Sequence, residues 1–124
     1  SNSTFTNCTA RYGGGAFLST DSSTQLPDAI QVSNVNFYEC GTGITDGGAL
    51  YATTPKGSIL IHKTVIQHCE GALGGGIRLT GSALASIFDS NFSYCQADEG
   101  GCLFIDKVPI WNVSGSNFVS CSSI

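Results

Sequence analysis

The sequence predicts an all-β fold, a parallel β-helix of about four to five coils with three short strands per coil. Two recurring features support this prediction: a Phe or Ile precedes a cysteine by three positions five times, and a pair of glycines follows each of the first four cysteines. The cysteines are Cys8, Cys40, Cys69, Cys95 and Cys121, separated by 32, 29, 26 and 26 residues. A repeat of this length is typical of a solenoid in which each coil stacks on the next.

The first strand of each repeat is expected directly after the glycine pair. The pairs are Gly14-Gly15, Gly47-Gly48, Gly74-Gly75 and Gly100-Gly101, and each is followed by a small residue and a large apolar one. Glycine suits a corner of the coil, where the backbone needs a positive φ or neighbouring coils approach closely. The following segments alternate over only a few residues and end at Gly, Ser, Asn, Asp or Pro, which is typical of strands.

The second and third strands are expected to contribute inward ladders. The second strand carries an apolar-x-apolar pattern, at Ile30/Val32, Ile59/Ile61, Ala85/Ile87 and Trp111/Val113. The third strand leads into the cysteine and carries Phe5, Phe37, Ile66, Phe92 and Phe118. We expect equivalent residues to stack at ~4.8 Å, the spacing of neighbouring strands in a sheet. Residues 1–124 then form a single β-helix domain or a segment of a longer one.

The strand that follows each glycine pair is called the glycine strand. The alternation of residues along it predicts which side chains face inward. Arg78 would be costly to bury without a partner, so the alternate positions that include Arg78 are assigned to the outside of the coil. The inward residues are then Phe17, Leu50, Ile77 and Leu103. The outward residues are Ala16, Leu18, Ala49, Tyr51, Gly76, Arg78, Cys102 and Phe104. Because Leu18, Tyr51, Arg78 and Phe104 form an apolar strip on a solvated face, we predict a contact surface there.

The paired motifs resemble the repeats of polymorphic outer-membrane proteins, in which Gly-Gly-Ala-aliphatic alternates with Phe-x-x-Asn. The matching segments are Gly14-Gly15-Ala16-Phe17, Gly47-Gly48-Ala49-Leu50, Gly74-Gly75-Gly76-Ile77 and Gly100-Gly101-Cys102-Leu103. The resemblance extends over essentially the whole chain, with cysteine where that family often has asparagine. It implies a right-handed parallel β-helix used in secreted or surface-displayed adhesive and structural proteins.

The five periodic cysteines are expected to form one inward column without disulfides among them. Stacked Cβ atoms would lie ~4.8 Å apart, whereas a disulfide requires ~3.5–4.5 Å. Cys102 breaks the pattern and falls on the outward parity, so we expect it to be the reactive or cross-linking thiol. No C-x-x-C pair is present, so neither a metal nor another cofactor is expected.

Four Asn-x-Ser/Thr sequons indicate candidate glycosylation sites, at Asn2, Asn7, Asn91 and Asn112. Asn91 precedes an inward Phe and should therefore point outward, where a glycan is tolerated. Asn91 and Asn112 are the preferred sites, and Asn7 is close to a corner cysteine.

Composition excludes several classes of function. Five Lys and Arg against nine acids, with net charge −4, cannot form the positive stripe that nucleic acids require. The apolar runs are far shorter than the ~20 residues of a membrane-spanning helix. For catalysis, Asp46, Asp98 and Glu99 precede glycine pairs, but Leu73 holds the equivalent position in the coil between them. His62 and His68 are expected to be solvated surface residues.

These patterns favour a non-enzymatic structural or adhesive β-helix of a cell-surface appendage, filament, sheath or adhesin. The alternative is a carbohydrate-active β-helix of the lyase or hydrolase type, or a carbohydrate-binding module. Both ends of the sequence fall on the Phe-x-x-Cys strand, and no capping element is recognised. The expected partner is therefore the protein itself, by end-to-end stacking, lateral packing or continuation of a longer chain; surface carbohydrate is a further candidate.

Overall fold

A computed structural model describes residues 3–6, 8, 13–19, 29–42, 44–55 and 57–123. Sixteen strands occur in these ranges, and no helix. They are β1 (Ser3–Thr6), β2 (Ala16–Ser19), β3 (Ala29–Ser33), β4 (Val35–Tyr38), β5 (Leu50–Thr53), β6 (Ser58–His62), β7 (Val65–Gln67), β8 (Glu70–Leu73), β9 (Ile77–Thr80), β10 (Leu84–Phe88), β11 (Asn91–Ser93), β12 (Gln96–Glu99), β13 (Leu103–Asp106), β14 (Ile110–Ser114), β15 (Asn117–Val119) and β16 (Ser122–Ser123).

The strands form four parallel sheets, and neighbours within a sheet come from successive repeats. The sheet orders are β1-β4-β7-β11-β15, β3-β6-β10-β14, β2-β5-β9-β13 and β8-β12-β16. Consecutive strands of the chain always belong to different sheets, so the chain winds around an axis and stacks on itself. The predicted all-β parallel β-helix is confirmed.

The coils that begin at β7 and β11 have four described strands each, where the sequence predicted three. The additional sheet is built from β8, β12 and β16, which follow Cys69, Cys95 and Cys121. Within its two longer strands, Glu70–Leu73 and Gln96–Glu99, only Gly71 and Ala97 are buried. With no apolar alternation to mark it, this strand forms because the coils on either side offer hydrogen-bonding partners to its backbone.

The glycine corners depend on two different properties of glycine. The first glycine of each corner has a positive φ, between 55° and 72°, at Gly13, Gly47, Gly74 and Gly100. The second is required by the close approach of coils, since a Cβ at Gly48 would collide with the carbonyl oxygen of Gly75. Three further corners place non-glycine residues at positive φ, for example Lys63 at 52°, His68 at 55° and Lys107 at 55°.

The first repeat is shifted by one residue from the predicted alignment. Residues 13–15 are three consecutive glycines, and the corner pair is Gly13-Gly14, not Gly14-Gly15. Ala16 consequently pairs with Leu50, and Phe17 pairs with Tyr51. Phe17 therefore points outward and is 50% exposed, while Leu18 packs against the core. Their predicted orientations were wrong because sequence alone does not decide which two of three glycines form the corner.

The predicted core ladders are confirmed in the interior coils. Phe37, Ile66 and Phe92 stack in one buried column, and Phe5 joins it by backbone register. A second buried ladder runs through the apolar-x-apolar strands, at Ile30, Ile59 and Ala85 and at Val32, Ile61 and Ile87. Phe118 continues the first column in register but is 42% exposed, because no coil within the described residues covers it.

A ladder of hydroxyl groups lies at the corner that precedes β7, β11 and β15. The amide of Thr64 donates to Ser90 Oγ at 3.2 Å, and the amide of Ser90 donates to Ser116 Oγ at 3.2 Å. Each hydroxyl in turn donates to the carbonyl two residues earlier, as Thr64 does to His62 at 3.2 Å. The buried polar atoms at this corner are thus hydrogen-bonded between successive coils, as buried polar groups must be.

Candidate functional site

One outward column on the glycine-strand sheet carries three aromatic residues and an arginine. Phe17, Tyr51, Arg78 and Phe104 are in register on β2, β5, β9 and β13. The rings of Phe17 and Tyr51 stack with centroids 5.0 Å apart and planes inclined by 14°. The Arg78 guanidinium lies between the next two rings, 5.3 Å from the Tyr51 centroid and 5.7 Å from that of Phe104. We call these four residues the outer ladder.

Two carboxylates lie beside the arginine of the outer ladder. Asp46 precedes the glycine corner of the previous coil, and its Oδ2 accepts a hydrogen bond from Arg78 Nη1 at 2.8 Å. Asp106 ends β13 in the next coil, with its Oδ1 3.7 Å from Nη2. Because Arg78 is mostly buried, the stacked rings and the acids fix its guanidinium in one position. The aromatic rings, the guanidinium and the two carboxylates thus form one connected set of contacts on this face of the sheet.

The outward column predicted from sequence differs from the observed one in one of its four members. Tyr51, Arg78 and Phe104 face outward as predicted, and Phe17 replaces Leu18 in the column. Ala49, Gly76 and Cys102 were also assigned to the outside, but all three are buried. They precede the strand, where the corner still directs a Cβ toward the core: one at Gly76 would lie 3.2 Å from Ile66 Cγ2. The alternation of inward and outward side chains begins only at the residue after each of these three.

The cysteine column is confirmed in register, with one exception. Cys8, Cys40, Cys69 and Cys95 are not in disulfides, and the last three are buried. Burial raises the pKa of the Cys40 thiol. The pKa of the Cys69 thiol is also raised, first by a hydrogen bond with the Cys95 thiol and second by burial. Both thiols are therefore protonated and unreactive at neutral pH.

Cys121 departs from the predicted column behaviour by forming a disulfide with Cys102. Cys102 is 3% exposed, so its predicted outward orientation was wrong, whereas the prediction that it is a cross-linking cysteine agrees with the disulfide. The bond joins the glycine strand to the end of β15 across 19 residues of sequence, with the Cα atoms 5.3 Å apart. It links residues of different columns, so the geometric argument against disulfides within the column is unaffected.

Two histidines lie in surface contacts that the sequence analysis did not predict. His68 stacks on Tyr94 with centroids 5.1 Å apart and contacts the edge of Tyr38 at 5.6 Å. His62 stacks on Phe88 at 4.3 Å, and its Nε2 lies 3.6 Å from Asp89 Oδ2. The contact between His62 and Phe88 could have been predicted from the sequence, because the two residues occupy equivalent positions in successive repeats.

The structure describes two of the four sequons. Asn91 is exposed on β11, and its Oδ1 accepts a hydrogen bond from Asn117 Nδ2 at 3.0 Å. Asn112 is exposed on β14. Both could carry a glycan without disturbing the core. Asn2 and Asn7 lie outside the described residues.

The acids considered for catalysis do not converge in the described part of the chain. Asp46 is engaged by Arg78, whereas Asp98 and Glu99 are exposed on β12. Within the same residues, no group of three or more His, Cys, Asp or Glu could hold a metal ion. The described ranges also contain no helix long and apolar enough to cross a membrane.

Comparison with known proteins does not add to this description. No family model, curated protein or solved structure matches the chain.

Proposed function

We propose that this chain is a structural or adhesive part of an extracellular, surface-displayed β-helix, without enzymatic activity. The resemblance of its glycine-pair and Phe-x-x-Cys motifs to those of surface β-helix proteins supports the proposal. The in-register ladders make a rigid rod, and each described acid either binds a cation or is scattered on the surface. The exposed sequons on β11 and β14 are compatible with display outside the cell.

The observation that carries the proposal is the apolar end face formed by the last coil, β13–β16. Every sheet ends on one of these strands. Trp111 is 58% and Phe118 is 42% exposed, although their equivalents Ala85 and Phe92 in the preceding coil are buried. The backbone of these strands also presents unpaired groups, which can template a further strand. We define this surface as the end face.

A further coil is the partner that suits the end face. It would continue the phenylalanine column and the four sheets at ~4.8 Å, burying Trp111 and Phe118. The coil is supplied either by continuation of a longer chain or by a second copy. Between two copies the contact is heterologous and propagates into a fibre instead of closing into a dimer.

The outer ladder is the proposed lateral contact surface of the rod. It is partly apolar, its arginine is paired with Asp46 and Asp106, and Phe17 is half exposed. Such a strip suits a second rod or a surface carbohydrate, in which ring faces and hydroxyl groups meet aromatic side chains and fixed charges.

Self-association of the purified chain tests the role of the end face. Trp111 is the only tryptophan, so its emission reports directly on this surface. With increasing concentration we expect larger species in sedimentation velocity and a blue shift of the emission, as the indole leaves water. Phe118→Asp should abolish both changes, because it places an unpaired charge in the contact.

Phe17→Asp is the matched control, since it places the same charge on a half-exposed phenylalanine of the lateral surface. It should leave end-to-end association unchanged. A monodisperse monomer at high concentration, with emission from Trp111 independent of concentration, would overturn the proposal.

A further inference from the structure

The described cysteine column is a continuous stack through four coils. The carbonyl of Cys8 accepts from the Gly41 amide at 2.7 Å, and the carbonyl of Cys40 accepts from Glu70 at 3.0 Å. The same bond joins Cys69 to the Gln96 amide at 3.0 Å. The backbone of each cysteine is therefore held in register with the next.

The four sulfur atoms also point in the same direction. Each Sγ lies within hydrogen-bonding distance of the carbonyl oxygen two residues earlier, at 3.4 Å for Cys8, 3.5 Å for Cys40, 3.4 Å for Cys69 and 3.5 Å for Cys95. A repeated contact of this kind requires the same rotamer in every coil. The sulfurs therefore repeat with the backbone, at ~4.8 Å. Cys95 Sγ also lies 3.8 Å from the carbonyl oxygen of Ile66, in the preceding coil.

Hydrogen bonding alone does not require sulfur at these positions. The hydroxyl ladder of Thr64, Ser90 and Ser116 occupies the equivalent place at another corner, after a residue with positive φ. Its hydroxyls make the same contact to the carbonyl two residues earlier, and Thr64 and Ser90 are as buried as the cysteines. Serine or threonine would thus satisfy the column, so its thiols offer a property that hydroxyls lack.

We propose that the Cys8–Cys40–Cys69–Cys95 column binds soft monovalent cations of the Cu(I) class, each held linearly between two stacked sulfurs. Thiolates select such ions over hard cations. A metal–thiolate bond of ~2.3 Å gives a sulfur–metal–sulfur span of ~4.6 Å, close to the ~4.8 Å between coils. A disulfide would need the sulfurs ~2 Å apart, and a tetrahedral zinc site needs four ligands at one centre. The column matches two-coordinate geometry.

Binding is balanced by proton release, without any change in oxidation state. Each bound thiol loses its proton to solvent, and interior sulfurs bridge two ions. Four thiolates and three monovalent cations leave a net charge of −1 on the filled column, which limits the cost of burying it. Cys8 is only partly buried and provides the accessible end. Because each thiol must release a proton to bind the metal, affinity should fall as the pH is lowered.

Silver(I) is the probe, because it has the preferred linear geometry and does not oxidise thiols. Native mass spectrometry of the folded chain should show up to three silver ions. Cys8→Ser should lower the number to two, and Cys69→Ser should lower it to one, since only the Cys8–Cys40 pair remains adjacent. Circular dichroism should show the β-sheet spectrum retained throughout, and anaerobic Cu(I) should displace silver competitively.

The double variant Cys102→Ser/Cys121→Ser is the control, because it removes two cysteines outside the described column and should leave three ions bound. The proposal is overturned if the folded chain binds no silver, or if Cys69→Ser binds as many ions as the original chain. Binding that is equally tight in denaturant, or that destroys the β-sheet spectrum, would also overturn it, because the folded column would then contribute nothing. The readouts are independent of self-association, so this proposal and the proposed function can fail separately.

Discussion

At the scale of single residues, the glycines of this protein are required for different physical reasons at neighbouring positions. Gly74 has a positive φ of 72°, whereas Gly75 does not have a positive φ but leaves no space for a side chain. A Cβ there would collide with the carbonyl oxygens of Gly101 and Gln96, both on the next coil. Backbone atoms of a packed sheet cannot move aside as a flexible side chain can, so the second glycine sets the spacing of the coils.

Gly75→Ala should therefore lower the free energy of unfolding by about 3 kcal/mol or more. Gly81→Ala is the control: its φ is 64°, but among the described residues the only atom within 4 Å of the new Cβ is Thr53 Oγ1 at 3.2 Å. It should cost only about 1 kcal/mol, the strain of a left-handed alanine. Urea unfolding measures both losses, and equal values would contradict the steric explanation.

The buried thiols predict a loss of stability in alkali. The pKa values of Cys40 and Cys69 are raised in the folded protein, so above pH ~8.5 the unfolded chain loses these protons before the folded protein does. The stability that protonation of Cys40 and Cys69 confers is complete below that pH and declines above it, with about 1.4 kcal/mol per pH unit as the limit for each retained proton. The pKa of Cys95 is lowered, first by its hydrogen bond with Cys69, and this thiol acts in the opposite sense. Chemical denaturation between pH 7 and 10 should show this decline. Cys69→Ala should make the slope shallower, and an unchanged slope would contradict the assignment.

At the scale of elements, the phenylalanine column is expected to contribute more to the stability of the fold in the interior coils than in the last coil. Phe92 and Phe118 occupy equivalent positions on β11 and β15, with their rings stacked 4.7 Å apart and inclined by 11°. Phe92 is covered by coils on both sides, whereas Phe118 is covered on one. The energetic value of a strand residue in a solenoid thus depends on its coil as well as on its type.

Phe92→Ala should lower the free energy of unfolding by about 3–5 kcal/mol, because it leaves a cavity between Ile66 and Phe118. Phe118→Ala is a matched change in the same column and should cost about 1 kcal/mol, mainly the lost ring stacking. Thermal or urea unfolding of the two variants at low protein concentration provides the measurement. A similar loss for both would mean that the end face is covered in solution.

At the scale of the whole molecule, stability is expected to vary along the rod axis. Each coil contacts only its neighbours, so the interior strands gain from two interfaces and those of the end face from one. The Cys102–Cys121 disulfide secures the last coil by joining β15 to the glycine strand before it. It restrains the strands but does not cover their apolar side chains.

Hydrogen exchange should reveal this gradient. Amides of β6 and β7 should exchange at least about tenfold more slowly than those of β14 and β15, whose strands open locally. Measurement in dilute solution reports the uncovered rod, and concentrated samples should show added protection confined to β13–β16. Uniform protection along the axis in dilute solution would contradict a nearest-neighbour solenoid.

The sequence alone determined the parallel β-helix, its repeat and most of its core. Glycine pairs, cysteines and apolar columns recur together, and a solenoid must place such recurrences above one another. Sequence reasoning also identified most of the outer ladder, because a charged residue such as Arg78 defines the outward parity of its strand.

The tertiary structure decided what local pattern could not. It selected Gly13-Gly14 as the first corner, because only that alignment places Ala16 on Leu50 and lets Phe17 stack on Tyr51. It added a fourth strand, which depends on backbone pairing with adjacent coils and leaves no apolar pattern. It also brought Cys102 to Cys121, residues of different columns whose meeting depends on the shape of a corner. In each case the deciding contact lies between coils, where the spacing of residues along one strand carries no information.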